Sequence, residues 1–361
     1  MKKIKVLITS KDYGAAENIT EIIKSLKEDN RFEFRVLSSN PAYKFFLENN
    51  IESDLVDLDT DVENYRYKLI NTARNYIEDY KPDAILTGVS GFTEGIDEAV
   101  ILVSKEIVTF SVQDFWGYVN NSLDSYPDYY FVIDSYAKKI NEKRYNTKSI
   151  VLGAVPKYTK YKNKNFDCIK RGDKIVFFGQ PLWKFDSYTK TLRYISEVLD
   201  KYNISSLYYK PHPTETNENL NLLIGIFKQG TNVIILRDKK LEEVLFSSSL
   251  AISINSTVIV DLAYLMKYYN KRISLGVFLT IEEEQRDFFY ANLDIKSHPM
   301  SVNETVLEIQ NKKDFEELIE NYLYNKNRKQ LDNIFNNIKD KIKYSNEILA
   351  LIKSSILTKV N

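Results

Sequence analysis

Cysteine is nearly missing from this chain, and so is histidine. A lone cysteine, Cys168, stands among 361 residues, so no internal disulfide can form and no cysteine-built metal cluster is on offer. Only two histidines occur, His212 and His298, so an imidazole set firmly in place asks for a reason. Net charge is absent too: Lys+Arg and Asp+Glu both count 50, which leaves no basic footprint for nucleic acid. No run approaches the roughly 18 apolar residues a membrane-spanning helix needs. The opening MKKIKVLITS has too short an apolar stretch for a secretory leader and reads as a first strand. These absences predict a cytoplasmic protein.

What is present is ordinary for a soluble globular chain, with 43% hydrophobic, 28% charged and 13% aromatic residues. The length predicts two domains, each large enough to bury its own core. In the first half, short apolar runs (residues 3–10, 33–39, 53–58, then DAILTGVS, IVTFSVQD, YYFVIDS and SIVLGAVP) alternate with helical patterns. One such helix covers roughly 61–80, where Tyr67, Ile70, Ala73, Tyr76, Ile77 and Tyr80 recur at helical spacing. A polar Lys/Asn-rich stretch at 157–173 reads as a linker, and the alternation restarts with KIVFFGQ. The pattern predicts α/β architecture with parallel sheets. The expected division is an acceptor-binding Rossmann-like domain over 1–156, the linker, a nucleotide-sugar domain over 174–325 and terminal helices over 326–361. Ligands of such sheets sit outside the carboxyl ends of the strands, here expected in a cleft between the two domains.

The stretch YYKPHPTE (208–215) sets His212 at the end of a strand between Pro211 and Pro213. Each proline fixes φ and removes a backbone donor, so the strand stops and the imidazole is held in one direction. A neutral imidazole can donate to a phosphate oxygen, and a protonated one adds charge. The plainer alternative is a histidine bonded to a backbone carbonyl. Some forty residues on, AISINSTVIVDLAYL (251–265) ends a strand and opens an apolar helix through Asn255, Ser256 and Thr257, with Ser253 beside them. Such residues cap a helix start, and the same N–H groups make an anion site. Gly179 and Gln180 follow the strand KIVFF, where the backbone could approach a ligand closely.

KPHP followed by SINST resembles the paired HP and S-S/T motifs of bacterial GT-B glycosyltransferases that use CMP-activated sugars: sialyltransferases, polysialyltransferases and Kdo-type transferases. The related CDP-glycerol polyol-phosphate transferases share a similar pair. The resemblance implies a GT-B fold of two Rossmann-like domains facing across a cleft, with a helical tail. It implies a nucleotide-sugar donor, no cofactor and no metal. Donor phosphate and ribose would be held by His212, with Pro213 shaping the turn, and by Ser256 and Thr257, with Lys210, Gly179, Gln180, Ser253 and Asn255 nearby. The D/E-D/E-G motif that supplies the base in several such families is not found.

An inverting transferase also needs a base for the acceptor hydroxyl. TGVSGFTEGIDEAV offers Glu94, outside the helix proper, and Asp97 with Glu98 in its first turn, where the dipole alone would favour acids. Asp12 and Glu17 follow the first strand. QDFWGYVN (113–120) places Asp114 beside Trp116 and Tyr118, which could stack a sugar or simply pack. DTD (59–61) matches a metal-holding motif of another transferase class but opens a helix, where capping accounts for it. NST (255–257) satisfies a glycosylation sequon, but at the expected site of a cytoplasmic chain. His298, in KSHPM, lacks the helix-start signature and reads as a loop residue within reach of the cleft. The tail carries an apolar stripe, Leu331, Ile334, Phe335, Ile338 and Ile342, on a basic segment that could lie on the inner face of a membrane or pack as core.

The expected function is metal-independent inverting transfer of a sialic or other nonulosonic acid, or Kdo, from a CMP-linked donor to a glycan, lipid-linked or protein acceptor. Rival readings are a nonhydrolysing UDP-GlcNAc 2-epimerase, a CDP-glycerol-type transferase and a GT-B module that binds glycan without turnover. The epimerase family carries a Ser-Gly-Gly run at the helix start, and SINST has no glycine.

Overall fold

The computed structural model describes every residue except 1–2, 60–62, 92, 146, 162–171, 228–229, 291–294, 325–327, 339–342, 344 and 361. The chain forms two compact units, Met1–Lys160 with Asp340–Asn361, and Tyr161–Lys339. Cys168, and Thr60 and Asp61 of the DTD sequence, lie outside the described residues.

The first unit is built on a parallel sheet of β1 (Ile4–Ser10), β2 (Phe32–Ser38), β3 (Asp54–Leu55), β4 (Ala84–Thr87), β5 (Val108–Val112), β6 (Tyr129–Val132) and β7 (Lys148–Val151). Its order is β3-β2-β1-β4-β5-β6-β7, so the strand sequence reverses between β1 and β4. Sheets covered on both faces need unbroken apolar strands, and Val6, Leu7, Ile8, Ile85 and Leu86 are fully buried. Helix α1 (Tyr13–Glu28) turns Ala16, Ile19, Ile22, Ile23 and Leu26 inward at helical spacing. Helices α2 (Ala42–Glu48), α3 (Tyr65–Tyr80), α4 (Ile96–Val103) and α5 (Ser135–Arg144) complete the crossovers. The chain between β6 and β7 gives no helical signal in the sequence because α5 is polar almost throughout and buries only Ala137 and Asn141.

The second unit repeats the plan. Strands β8 (Lys174–Phe178), β9 (Ser206–Lys210), β10 (Asn232–Ile235), β11 (Ser248–Ser253), β12 (Leu275–Leu279) and β13 (Leu307–Ile309) pair in parallel in the order β10-β9-β8-β11-β12-β13. Here the reversal falls between β8 and β11. Helices α6 (Asp186–Lys201), α7 (Asn217–Ile226), α8 (Leu241–Ser247), α9 (Thr257–Tyr269), α10 (Glu283–Tyr290), α11 (Pro299–Val302), α12 (Lys312–Leu323) and α13 (Arg328–Asn337) link and cover the strands. The tail stripe turns inward: Leu331, Ile334 and Ile338 are buried and α13 packs on α9. On α13 this face packs as core, and Ile342 of the stripe lies outside the described residues. Among the described residues no helix is long and apolar enough to cross a membrane.

Helix α14 (Ser345–Val360) belongs to the first unit, not to a separate tail. Its Ile348, Leu349 and Ile352 are buried in the cluster that α1, β4 and β5 also fill.

Candidate active site

In the second unit the loops after β9, β8 and β11 emerge side by side at the carboxyl edge, flanking the strand reversal where such sheets take ligands. Glu215, 3% exposed, organises the first of them. Its Oε1 accepts from the Trp183 indole N–H and the Tyr209 hydroxyl, each at 2.6 Å, and its Oε2 accepts from the His212 backbone N–H at 2.6 Å. The half-buried His212 ring accepts the Thr214 backbone N–H at Nδ1, 3.3 Å away, and lies 2.8 Å from the Thr214 hydroxyl. An Nδ1 that accepts puts the neutral ring's proton on Nε2, which has no hydrogen-bond partner among the described residues. Desolvation lowers the His212 pKa, against an opposing pull from Glu215. The neutral ring therefore presents one N–H donor. Pro213 is exposed on the turn.

Gly179 couples this loop to the next. Its N–H donates to the Lys210 carbonyl at 2.9 Å, and an added Cβ would stand 2.2 Å from the Tyr209 hydroxyl and 2.4 Å from Glu215 Oε2. Gln180 then reaches across to β11: its Oε1 accepts the Asn255 backbone N–H at 2.9 Å and contacts the Ser253 hydroxyl at 3.3 Å. Ser256 caps α9, its hydroxyl accepting from the Val258 N–H at 3.3 Å. Thr257 is exposed, and its hydroxyl has no partner among the described residues. The three loops thus form one bonded edge carrying His212, Gln180, Ser256 and Thr257.

Two expected ligands are engaged elsewhere. The Lys210 ammonium donates to the carbonyls of Leu236, Arg237 and Lys239 at 3.0, 2.8 and 2.6 Å, so all three of its donors brace the chain after β10 and none remains for a phosphate. Ser253 is fully buried, its hydroxyl bonded to the Phe178 carbonyl at 3.0 Å and accepting the Ser256 N–H at 3.3 Å. It clasps the loop from inside. Asn255 uses its N–H on Gln180, while its Oδ1 is enclosed with no partner among the described residues.

The first unit gathers its own cluster after β1, β4 and β5. Asp97 lies at its floor, fully buried, accepting from the Thr9 hydroxyl at 2.6 Å, the Ser90 hydroxyl at 2.8 Å and the Lys11 N–H at 3.1 Å. Burial raises its pKa. These bonds tie two strand ends together and leave no route to an acceptor, so Asp97 is a structural carboxylate. Glu98, 3% exposed, is pushed well up by burial and then by Asp97. Glu94 pairs with Arg66 at 3.2 Å. Asp12 accepts the Gly91 backbone N–H and fixes the glycine-rich loop. Glu17 pairs with Lys157 at 3.6 Å. Trp116 is 1% exposed with its indole N–H on Asp134 at 2.8 Å, so it packs and offers no sugar platform. Tyr118 bonds the Gly91 carbonyl.

Asp114 differs from its neighbours. Half-buried, its carboxyl is pushed up to about 6, chiefly by desolvation and further by Asp12, while its own backbone N–H opposes the shift. Among the described residues no other group bonds it. Gly14, opening α1, would bring a Cβ to 3.2 Å from Asp114 Oδ2, so the glycine leaves room there. Sequence reasoning placed Asp114 only as a contact; its burial could not be read from QDFWG.

His298 stands at the end of its loop, where it opens a helix that the sequence does not signal. It is buried, caps α11 through Nδ1 and the Met300 N–H at 3.2 Å, and packs on Phe278 with ring centroids 4.1 Å apart; burial pushes its pKa down to about 3.

Two Rossmann-like parallel sheets in one chain, each with polar loops at its carboxyl edge, define a GT-B fold. Residues 134–261 match the family model of glycosyltransferase family 52, a span that includes both the His212 loop and the start of α9. No curated protein matches the chain. Among solved structures, the S. aureus MnaA–UDP complex superposes with a TM-score of 0.69 at 14% identity, covering 99% of this chain and 97% of that one. UDP-GlcNAc 2-epimerase from Neisseria meningitidis bound to UDP-GlcNAc gives 0.65 at 14%, with 98% and 100% covered. A glycosyltransferase from Rickettsia africae gives 0.65 at 12%, with 99% of both chains covered.

Proposed function

We propose that this protein is a glycosyltransferase that takes its sugar from a CMP-activated donor without a metal ion, with inversion at the transferred carbon. The observation that carries the reading is the overlap of the family 52 similarity with one bonded edge holding His212, Gln180, Ser256 and Thr257. In this reading the His212 Nε2–H and the donors at the start of α9 bind the donor phosphate. They stabilise the charge that grows on it as the glycosidic bond breaks. Asp114, poised near 6 and with no hydrogen-bonding side chain on it among the described residues, is the group suited to take an acceptor hydroxyl's proton. Glu94, held by Arg66, is a weaker candidate for that step. The donor class follows the sequence resemblance, and the sugar would be a sialic or other nonulosonic acid or Kdo.

Calorimetric titration of CMP, CDP and UDP, with EDTA present, into wild type and His212→Ala tests this. Selective CMP binding that the variant loses is expected. Undiminished CMP binding by the variant would remove His212 from the site, and a requirement for divalent metal would overturn the metal-free mechanism.

A second reading, epimerisation of a UDP-sugar, draws on the carboxylates Asp12 and Asp114 in one cluster and on the UDP-GlcNAc-bound Neisseria enzyme of the same fold. Preference for UDP in the titration, with UDP-GlcNAc converted in the absence of an acceptor, would favour it. SINST, lacking glycine, speaks against it.

A further inference from the structure

We infer that Glu215 is a positioning residue that presents the His212 imidazole to its ligand, an inference that rests on His212 being a donor-side ligand. The geometry is specific. A carboxylate 3% exposed receives three donors at 2.6 Å from three parts of the chain: Trp183 in the loop after β8, Tyr209 in β9, and the backbone N–H of His212 itself. The Tyr209 hydroxyl also lies 3.1 Å from that of Tyr188, whose hydroxyl accepts the Gln180 N–H at 3.2 Å. Glu215 thus bolts the His-Pro turn to the Gln180 loop, and the turn closes on itself through the Glu215 N–H and the His212 carbonyl at 3.0 Å. Gly179 exists in this form because a side chain there would strike Glu215 and Tyr209.

The other charged groups around the turn are committed: the Lys210 ammonium to three carbonyls, and Arg237 to the Glu215 carbonyl at 3.1 Å. Among the described residues, Glu215 is the one charged side chain that raises the His212 pKa against burial. Thr214 favours a bare Nδ1, to which its backbone N–H donates, and only its hydroxyl can adapt when the ring is protonated. Its hydroxyl can donate to a bare Nδ1 or accept from a protonated one. Glu215 therefore sets both where the imidazole points and how readily it takes a proton.

The chain's two histidines make the test clean, because His298, down at about 3, does not titrate where His212 does. NMR of the imidazole ring is followed against pH in wild type and Glu215→Gln, without ligand. Gln keeps the side-chain shape but removes the charge and faces the His212 N–H with an amide of its own. The His212 midpoint is expected to fall by about half a unit or more, with CMP affinity about tenfold weaker. An unchanged midpoint would overturn the role of Glu215 whatever the ligand proves to be. Failure of CMP to bind wild type, with the midpoint still shifted, would instead overturn the donor reading and leave the positioning intact.

A second measurement needs no variant. The wild-type His212 amide proton, bonded to a buried carboxylate, should resonate far downfield and exchange slowly. An ordinary shift with fast exchange would sink the inference even if Glu215→Gln failed to fold.

Discussion

Desolvation, with no hydrogen-bonding side chain on it among the described residues, gives the Asp114 carboxyl its raised pKa of about 6, and two consequences follow. A base must be ionised, so on the proposed mechanism kcat/KM should rise with pH through about 6 and level off above. Asp114→Asn should lower kcat by about 10²- to 10⁴-fold, and a variant with full activity would dismiss it as the base. For stability the sign is opposite. A carboxyl raised above its unfolded value favours the folded state fully below that unfolded value, near 4, and loses that contribution as pH climbs through about 6. Thermal melts of Asp114→Asn should therefore exceed wild type at pH 7 by a few degrees, about 3 °C, and converge with it near pH 4. Placements that are locally dictated, such as His212 after a strand and between two prolines and Ser256 capping a helix, were legible in the sequence. Lys210, Asp97 and Trp116 were not. Their roles are fixed by partners brought in by tertiary packing, such as the carbonyls of 236–239 for Lys210 and Thr9 for Asp97.

The turn after β8 shows the same division among elements. That a glycine ends KIVFF is visible in the sequence, but the reason is not. Gly179 lies under Tyr209 and Glu215, and an alanine there would force the His-Pro turn outward. Gly179→Ala should cost about 1–3 kcal/mol in urea unfolding and weaken nucleotide binding in the same variant. Unchanged stability would show that the turn yields freely. At the next loop, Ser256→Ala removes the cap of α9 and should cost about 1 kcal/mol. Most strands and long helices could be read from apolar periodicity. The polar α5, the four-residue α11 and the three-residue β13 carry too little of it. The Glu215 network joins residues of three segments, and no local pattern announces it.

Across the whole molecule, two parallel sheets followed from the alternation of strand and helix, but the route of the chain did not. An apolar stripe says that a helix packs, not against which unit. Helix α13 covers α9 in the second unit, while α14 returns to α1 in the first. Ile352, fully buried there, should cost about 2–5 kcal/mol on replacement by alanine. Hydrogen exchange should loosen α1 and β5 while leaving β8 and β9 protected, and uniform loosening would contradict the two-unit division. The return of α14 also orders events during synthesis. The second unit, one uninterrupted stretch, can complete its core as it leaves the ribosome. The first cannot complete the cluster that α1 shares with Ile348, Leu349 and Ile352 until residues 345–360 emerge. The half of the protein made first is thus the half finished last, and a chain cut short before α14 should be a substrate for chaperones and proteases.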